Sequence, residues 1–264
     1  MATKPIKSVV KPYLRGTWNG KDAKTKGLRM ILSILFISFL YLLLGVLLSF
    51  DSLALRAGTS VIIVAFASLY MYFQGANSGE ADTAFGEIMY QHEQEGRTVV
   101  SSDRERCFHP AKGFYSVMIA VIPYLIITLV FAVIAKPVTY TLGVLPAWLE
   151  APSQQTHVGE ALAYYNMQST DMFMSILRII VRAITMPFIN VTLLLGTQGV
   201  LWGERLAPIW VMIAPLAYGF GYMQGPKLRI KINTGIAIGL RNKRRKQNKE
   251  RKARNNAKKP EQLI

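Results

Sequence analysis

Asp171, Ser175, Arg178, Arg182 and Thr185 follow one another at spacings of four, three, four and three. On an α-helix that periodicity places all five on one stripe, with Met172, Phe173, Ile176, Leu177, Ile179, Ile180 and Val181 over the remaining surface. Two guanidinium groups one turn apart can hold a phosphate, a carboxylate or a lipid headgroup in bidentate fashion. Arg178 and Arg182, with Asp171 and Ser175 beside them, are therefore the candidate anion-binding residues. At bilayer depth such charges are expensive and read as functional. On a helix lying in the interface the same stripe would simply face water.

Other chemistry is poorly represented. Cys107, His109, His92, Asp103 and Glu105 share one polar segment, but the Cys-x-His spacing fits no standard zinc pattern. No metal or cofactor is expected. A single cysteine excludes an intramolecular disulfide. Nucleophile–base pairs, glycine-rich phosphate loops and usefully spaced carboxylate pairs do not stand out, so an enzyme is not expected.

The strongest charge feature is the C-terminal run 241–259, in which Lys243, Arg244, Arg245, Arg251 and Lys252 surround the neutral Gln247. These are candidates for contact with a membrane surface or with RNA. Basic residues near an anionic leaflet are worth about 1 kcal/mol each, which favours lipid headgroups and topology anchoring. The run has no aromatic residue for base stacking, which places RNA or ribosome contact second. Residues beyond 240 lack an apolar face and are expected as a solvated helix or as disordered chain. Residues 227–232 alternate basic and apolar, as suits an interfacial stretch.

The elements that must carry these groups are membrane helices. With 51% hydrophobic and only 17% charged residues, and a mean hydropathy of +0.26, the 264-residue chain is too apolar for an ordinary soluble domain. The net charge of +16 is concentrated at the two ends of the chain. We expect an all-α polytopic integral membrane helical bundle of four to six spans, one of them broken or re-entrant, with a basic cytosolic tail. Residues 1–29 form a basic cytosolic segment and 30–74 a transmembrane hairpin; Asp51 and Ser52 supply its only polar link, and Arg56 snorkels to the outer headgroups. The run 30–50 has a full span's length and no small-residue cleavage site after it, so it reads as a retained helix rather than a signal peptide.

Residues 75–113 form a cytosolic loop with short helices. Glu80 and Asp82 are expected at a helix N-terminus, Phe85, Ile88, Met89 and His92 on its packed face, and Gly96 at its end. Ser102 and Glu105 match a capping box. The membrane region is 114–225, with an external loop near 136–170, a kink at Pro123 in the third span, and the basic tail over 226–264. Residues 171–202 pose a parity problem, being too long for one straight span and too short for two. An odd number of crossings would leave the cationic tail outside, against the positive-inside rule. The expected solution is entry over 171–186, a break at Pro187, and return without a completed crossing, a course tolerated only inside protein or beside a wet cavity. A sixth crossing by residues 138–149 is the competing one.

Three functions fit these features. The first is a non-enzymatic structural or assembly component of the cytoplasmic membrane, with both termini cytosolic, in contact with the bilayer, anionic headgroups and protein partners. The second is a transporter or permease subunit binding an anionic solute through Arg178 and Arg182. The third is a ribosome-associated membrane factor.

Overall fold

The computed structural model describes residues 8–48, 50–135, 152, 154–159 and 172–257. Their regular structure is helical throughout. In chain order it comprises α1 (Lys21–Leu47), α2 (Leu53–Gln94), α3 (Ser101–Arg106), α4 (Lys112–Ile134), α5 (Met172–Thr192), a 3-10 turn (Leu193–Leu195), α6 (Gly196–Arg205), α7 (Ala207–Met223) and α8 (Gly225–Ala257). Four segments are long and apolar enough to cross a membrane: α1, α2, α4 and Met172–Leu195. The bent pair Gln198–Arg205 and Ala207–Met223, meeting at 55°, makes a fifth if taken as one span. The chain divides into two compact units, Met1–Gly27 with Tyr70–Val117 and Ala217–Ile264, and Leu28–Leu69 with Met118–Leu216.

Several expected boundaries are displaced. The second span does not stop at residue 74. It continues as one 42-residue helix to Gln94, about 63 Å long, which is twice the thickness of a hydrocarbon core and more than one crossing needs. Glu80 and Asp82 accordingly sit in mid-helix and not at an N-terminus. The buried face of this extension is Gly75, Ala76, Gly79, Asp82, Thr83, Gly86 and Glu87, joined by Met89, while Ile88 is exposed. Small and acidic residues pack where an apolar face was anticipated. The helix α4 runs unbroken through Pro123, and α5 runs through Pro187, breaking only at the Leu193–Leu195 turn and Gly196. There is no capping box on α3: its N-cap is Val100, without a side-chain cap. The competing crossing at 138–149 falls outside the described residues.

In the first unit, α2 and α7 approach as closely as backbones can. A Cβ on Gly75 would strike the Tyr218 carbonyl, one on Gly79 the Tyr222 carbonyl, one on Gly221 the Tyr72 carbonyl, and one on Gly225 the backbone of Gly79. Two small-xxx-small pairs, 75/79 and 221/225, thus face each other. Each glycine costs helix stability of up to about 1 kcal/mol relative to alanine. The dispersion contacts of the close approach offset it. The extended segment before α1 is tied to the same unit, through Leu14 N–H to the Gly86 carbonyl and Gly16 N–H to the Phe108 carbonyl, both at 3.0 Å.

In the second unit, α5 packs near both of its ends. Its N-terminal part meets the end of α4, where Phe131, Ala135, Val181 and Ala207 form a buried cluster. Its C-terminal part meets the end of α1 and the start of α2. Phe188 packs edge-on against Tyr41 with centroids 6.1 Å apart, and the Asn190 amide donates to Ser60 Oγ at 3.3 Å. Phe188 also stacks on Trp210 of α7 at 5.1 Å. Arg56 does not reach outward alone: its guanidinium donates to the Phe50 carbonyl at 2.8 and 3.1 Å, closing the link between α1 and α2.

Candidate functional site

Three charged clusters hold the described residues together, one in the second unit and two in the first. In the second unit the arginine stripe is real, but its ligand is internal. Arg182 donates from Nε to Glu204 Oε1 at 2.7 Å, with its Nη2 at 2.6 Å from the same oxygen. Arg178 places Nε 3.3 Å from Glu204 Oε2, and its guanidinium lies 5.7 Å from the centre of the Phe131 ring. Helix geometry brings the two arginines to one side of α5, and α6 folds back to deliver the carboxylate. The Glu204 side chain is 2% exposed, Arg178 10% and Arg182 38%. One carboxylate between two guanidiniums leaves a net charge of +1, most of it accessible at Arg182.

The other stripe residues do not join this cluster as expected. Ser175 is half-buried, and Asp171 lies outside the described residues. Thr185 is buried and donates to its own helix, at the Val181 carbonyl. Glu204 was legible only as a spacer between apolar runs. Yet it is the sole acid between residues 172 and 223, a stretch that holds three arginines, and the cost of unpaired charge in such a setting is the signal that could have paired it.

In the first unit a larger network forms where the starts of α1 and α4 meet the α2 extension and the end of α7. Asp82 is its hub. It pairs with Lys26, with Lys112 at 3.0 Å and with the Tyr222 hydroxyl, which donates at 2.5 Å. Asp22 bridges the same two lysines, at 2.8 Å from Lys26 and 2.6 Å from Lys112. The Lys112 side chain is 0% exposed. Its ammonium also reaches the carbonyls of Glu105, Arg106 and Cys107 at 2.9, 3.2 and 3.3 Å. That is how α3 ends: a buried cation collects the last carbonyls of a short helix. Two carboxylates against two ammoniums make the network neutral, and Phe108 stacks on the Tyr222 ring at 5.3 Å to cover it.

A second set of ion pairs holds α8. Arg229 bridges Glu80 at 2.9 Å and Glu87 at 3.0 Å, and Asn233 donates to Glu87 at 2.8 Å. The two carboxylates, through hydrogen bonds first at Glu87, hold the Arg229 guanidinium even more firmly protonated than usual. Residues 227–232 are thus helical, with Arg229 turned into the unit. Beyond it, Lys243, Arg244, Arg245, Gln247, Arg251 and Lys252 are all exposed on one continuous helix.

The metal candidates are dispersed into other work. Glu105 accepts the Lys21 N–H at 2.9 Å, which is the contact that draws it away from Ser102. Cys107 is buried and its thiol donates to the Asp103 carbonyl at 3.4 Å; burial pushes the thiol up to about 11. His109 accepts the Ala111 N–H at 3.2 Å, and burial, then Arg15 and Lys112, keep its imidazole below the usual range. Among the described residues no three His, Cys, Asp or Glu side chains converge on a metal position. No protein-family model, curated protein or solved structure matches this chain.

Proposed function

We propose that the protein is a four-crossing component of the cytoplasmic membrane, with both termini cytosolic, that serves as a non-enzymatic assembly platform. The crossings are α1, α2, α4 and α7. The helix α5, about 31 Å long, touches the end of α4 near its start and the α1–α2 link near its end, so it lies across the outer ends of these helices rather than through the membrane. The turn at Leu193–Leu195 and α6 then return the chain to the Phe131 cluster, from which α7 descends. An even count follows, and it satisfies the positive-inside rule at both termini.

The observation that carries the platform reading is the fixing of the cationic helix α8 to the α2 extension by Arg229, Glu80, Glu87 and Asn233. A loose anchor needs no such base. Exposed Ile232, Ile236, Ile238 and Leu240 on the same helix suit the membrane interface, with Lys227 and Lys231 reaching headgroups.

The test is sidedness. In a Cys107→Ala background, Asp51→Cys and Gln247→Cys should react with a membrane-impermeant maleimide from opposite sides of sealed vesicles. Labelling of both from one side overturns the topology. The transporter reading retains one supporting observation, the 38% exposure of Arg182 beside a cluster of net charge +1. Thermal protection by phosphate or a carboxylate that disappears in Arg182→Ala would favour transport; no protection favours the platform.

A further inference from the structure

We infer that residues 241–254 of α8 bind structured RNA through its phosphates. The inference rests on the cytosolic placement of α8 proposed above. This segment carries nine lysines or arginines against the single acid Glu250. Residues 242–254 are exposed on every side, and Arg241 is half-buried.

The distribution of the cations around the helix chooses the partner. At 100° per residue, Arg241, Lys252, Arg245 and Lys249 point one way, Lys246, Lys243 and Arg254 the opposite way, and Arg251 and Arg244 lie between. No sector of the helix wider than about 60° lacks a cation. A lipid surface is a plane and can reach one side only, which would leave about half of these charges in water. Nor is there an apolar face to insert, Ala253 being the only apolar residue in the segment.

A folded RNA differs in that its phosphates line concave grooves and clefts, which can surround a rod about 10–12 Å across. Asn242, Gln247 and Asn248 add neutral amides among the cations, suited to sugar hydroxyls and phosphate oxygens. The absence of aromatic residues argues against single strands, whose bases would need a stacking platform. A duplex DNA groove offers two phosphate walls, whereas a folded RNA closes on more sides of the helix. The rod is about 21 Å long and starts from the base held by Arg229 and Asn233, so it is presented in one orientation.

The full-length protein in phosphatidylcholine nanodiscs is titrated with an RNA hairpin containing an internal loop, a DNA duplex of equal length, oligo-uridine, and phosphatidylglycerol vesicles. Two quadruple variants remove opposite sides of the rod. One is Arg241→Gln, Arg244→Gln, Arg245→Gln and Lys252→Gln; the other is Lys243→Gln, Lys246→Gln, Arg251→Gln and Arg254→Gln. The RNA hairpin should bind tightest. Each variant should weaken it about 10-fold or more and flatten the slope of log affinity against log salt by about three. Normal RNA binding by either variant, tighter binding of DNA or anionic vesicles, or no salt-dependent RNA binding overturns the inference. Maleimide labelling of Gln247→Cys in sealed vesicles separates the two levels. A cytosolic tail without RNA binding sinks this inference alone; an external tail sinks the topology with it.

Discussion

Replacing Asp82 by asparagine should destabilise the protein more than any exposed charge change. Asp82 is 10% exposed and faces Lys112, itself 0% exposed, across 3.0 Å, with Lys26 and the Tyr222 hydroxyl as further partners. The gross attraction across 3.0 Å at an effective dielectric of 20 is about 5–6 kcal/mol, largely offset by the cost of dehydrating the ions. Removing one partner forfeits the attraction but retains that cost for the ammoniums left behind, which puts the loss at about 3–5 kcal/mol. Asp22 cannot compensate, because it must then serve both lysines with one charge. At about 2–4 °C per kcal/mol for a chain of this size, Asp82→Asn should melt about 6–20 °C lower. Thermal unfolding in detergent, followed by the fluorescence of the four tryptophans, reads this directly. Glu95→Gln is the comparison, since Glu95 and Arg97 form an exposed pair with side chains 56% and 67% accessible and worth less than about 1 kcal/mol. Adding Lys112→Met to Asp82→Asn should recover about 1–3 kcal/mol of the sum of the single losses. Equal melting of Asp82→Asn and Glu95→Gln, or strict additivity in the double variant, refutes the buried network as a source of stability.

Glu204→Gln should cost about 3–5 kcal/mol by stranding Arg178, while Arg182→Gln, at an exposed position, should cost about 1 kcal/mol or less; equal losses would contradict the burial of the pair. Gly79→Ala should destabilise by more than about 1 kcal/mol because its Cβ meets the Tyr222 carbonyl, whereas Gly58→Ala, with open space around it, should stabilise by up to about 1 kcal/mol. Comparison of their unfolding midpoints decides this, and a stabilising Gly79→Ala would disprove the close approach. With its thiol pushed up to about 11, Cys107 should be about a thousandth thiolate at pH 8 and react with maleimide far more slowly in the folded protein than in denaturant. A raised folded value favours the neutral thiol. Its contribution to stability is complete below the unfolded value of about 8.5 and is lost as pH rises toward 11, so Cys107→Ala should be less sensitive than the native chain to alkaline unfolding over that window.

Helical membrane character was readable because it depends on local sums. A run of apolar residues such as 114–134 needs no partner to declare itself. The arginine stripe was readable for the same reason, since spacings of three and four decide which residues share a face. What covers that stripe was not readable. Glu204 is 22 residues beyond Arg182 and reaches it only because the chain turns at Gly196 with φ near +75° and folds α6 back. Pro187 misled: it forgoes a hydrogen bond, but α5 continues through it. The extension of α2 beyond residue 74 reads in sequence as a separate helix because Glu80 and Asp82 suit a first turn, yet Gly75, Gly79 and Gly86 lie within one continuous helix. Their role is decided by the backbones of Tyr218, Tyr222 and Leu14 that press against them.

Composition and periodicity determined by themselves that this chain is helical, apolar enough for a membrane, and cationic at both ends, because those properties are set by each residue's own transfer cost and charge. Only the tertiary structure decided which charges are spent internally. Asp22, Lys26, Asp82 and Lys112 cancel one another, Arg178 and Arg182 share Glu204, and Arg229 is held by Glu80 and Glu87, and all of these but the Asp22–Lys26 pair span long stretches of sequence. Electrostatic pairing falls steeply with distance and strengthens with burial, so which distant partners meet is decided only when the fold brings them together. Among the described residues the exposed end of α8 carries the densest group of cations outside these pairings, and that group is what directs attention to a polyanionic partner.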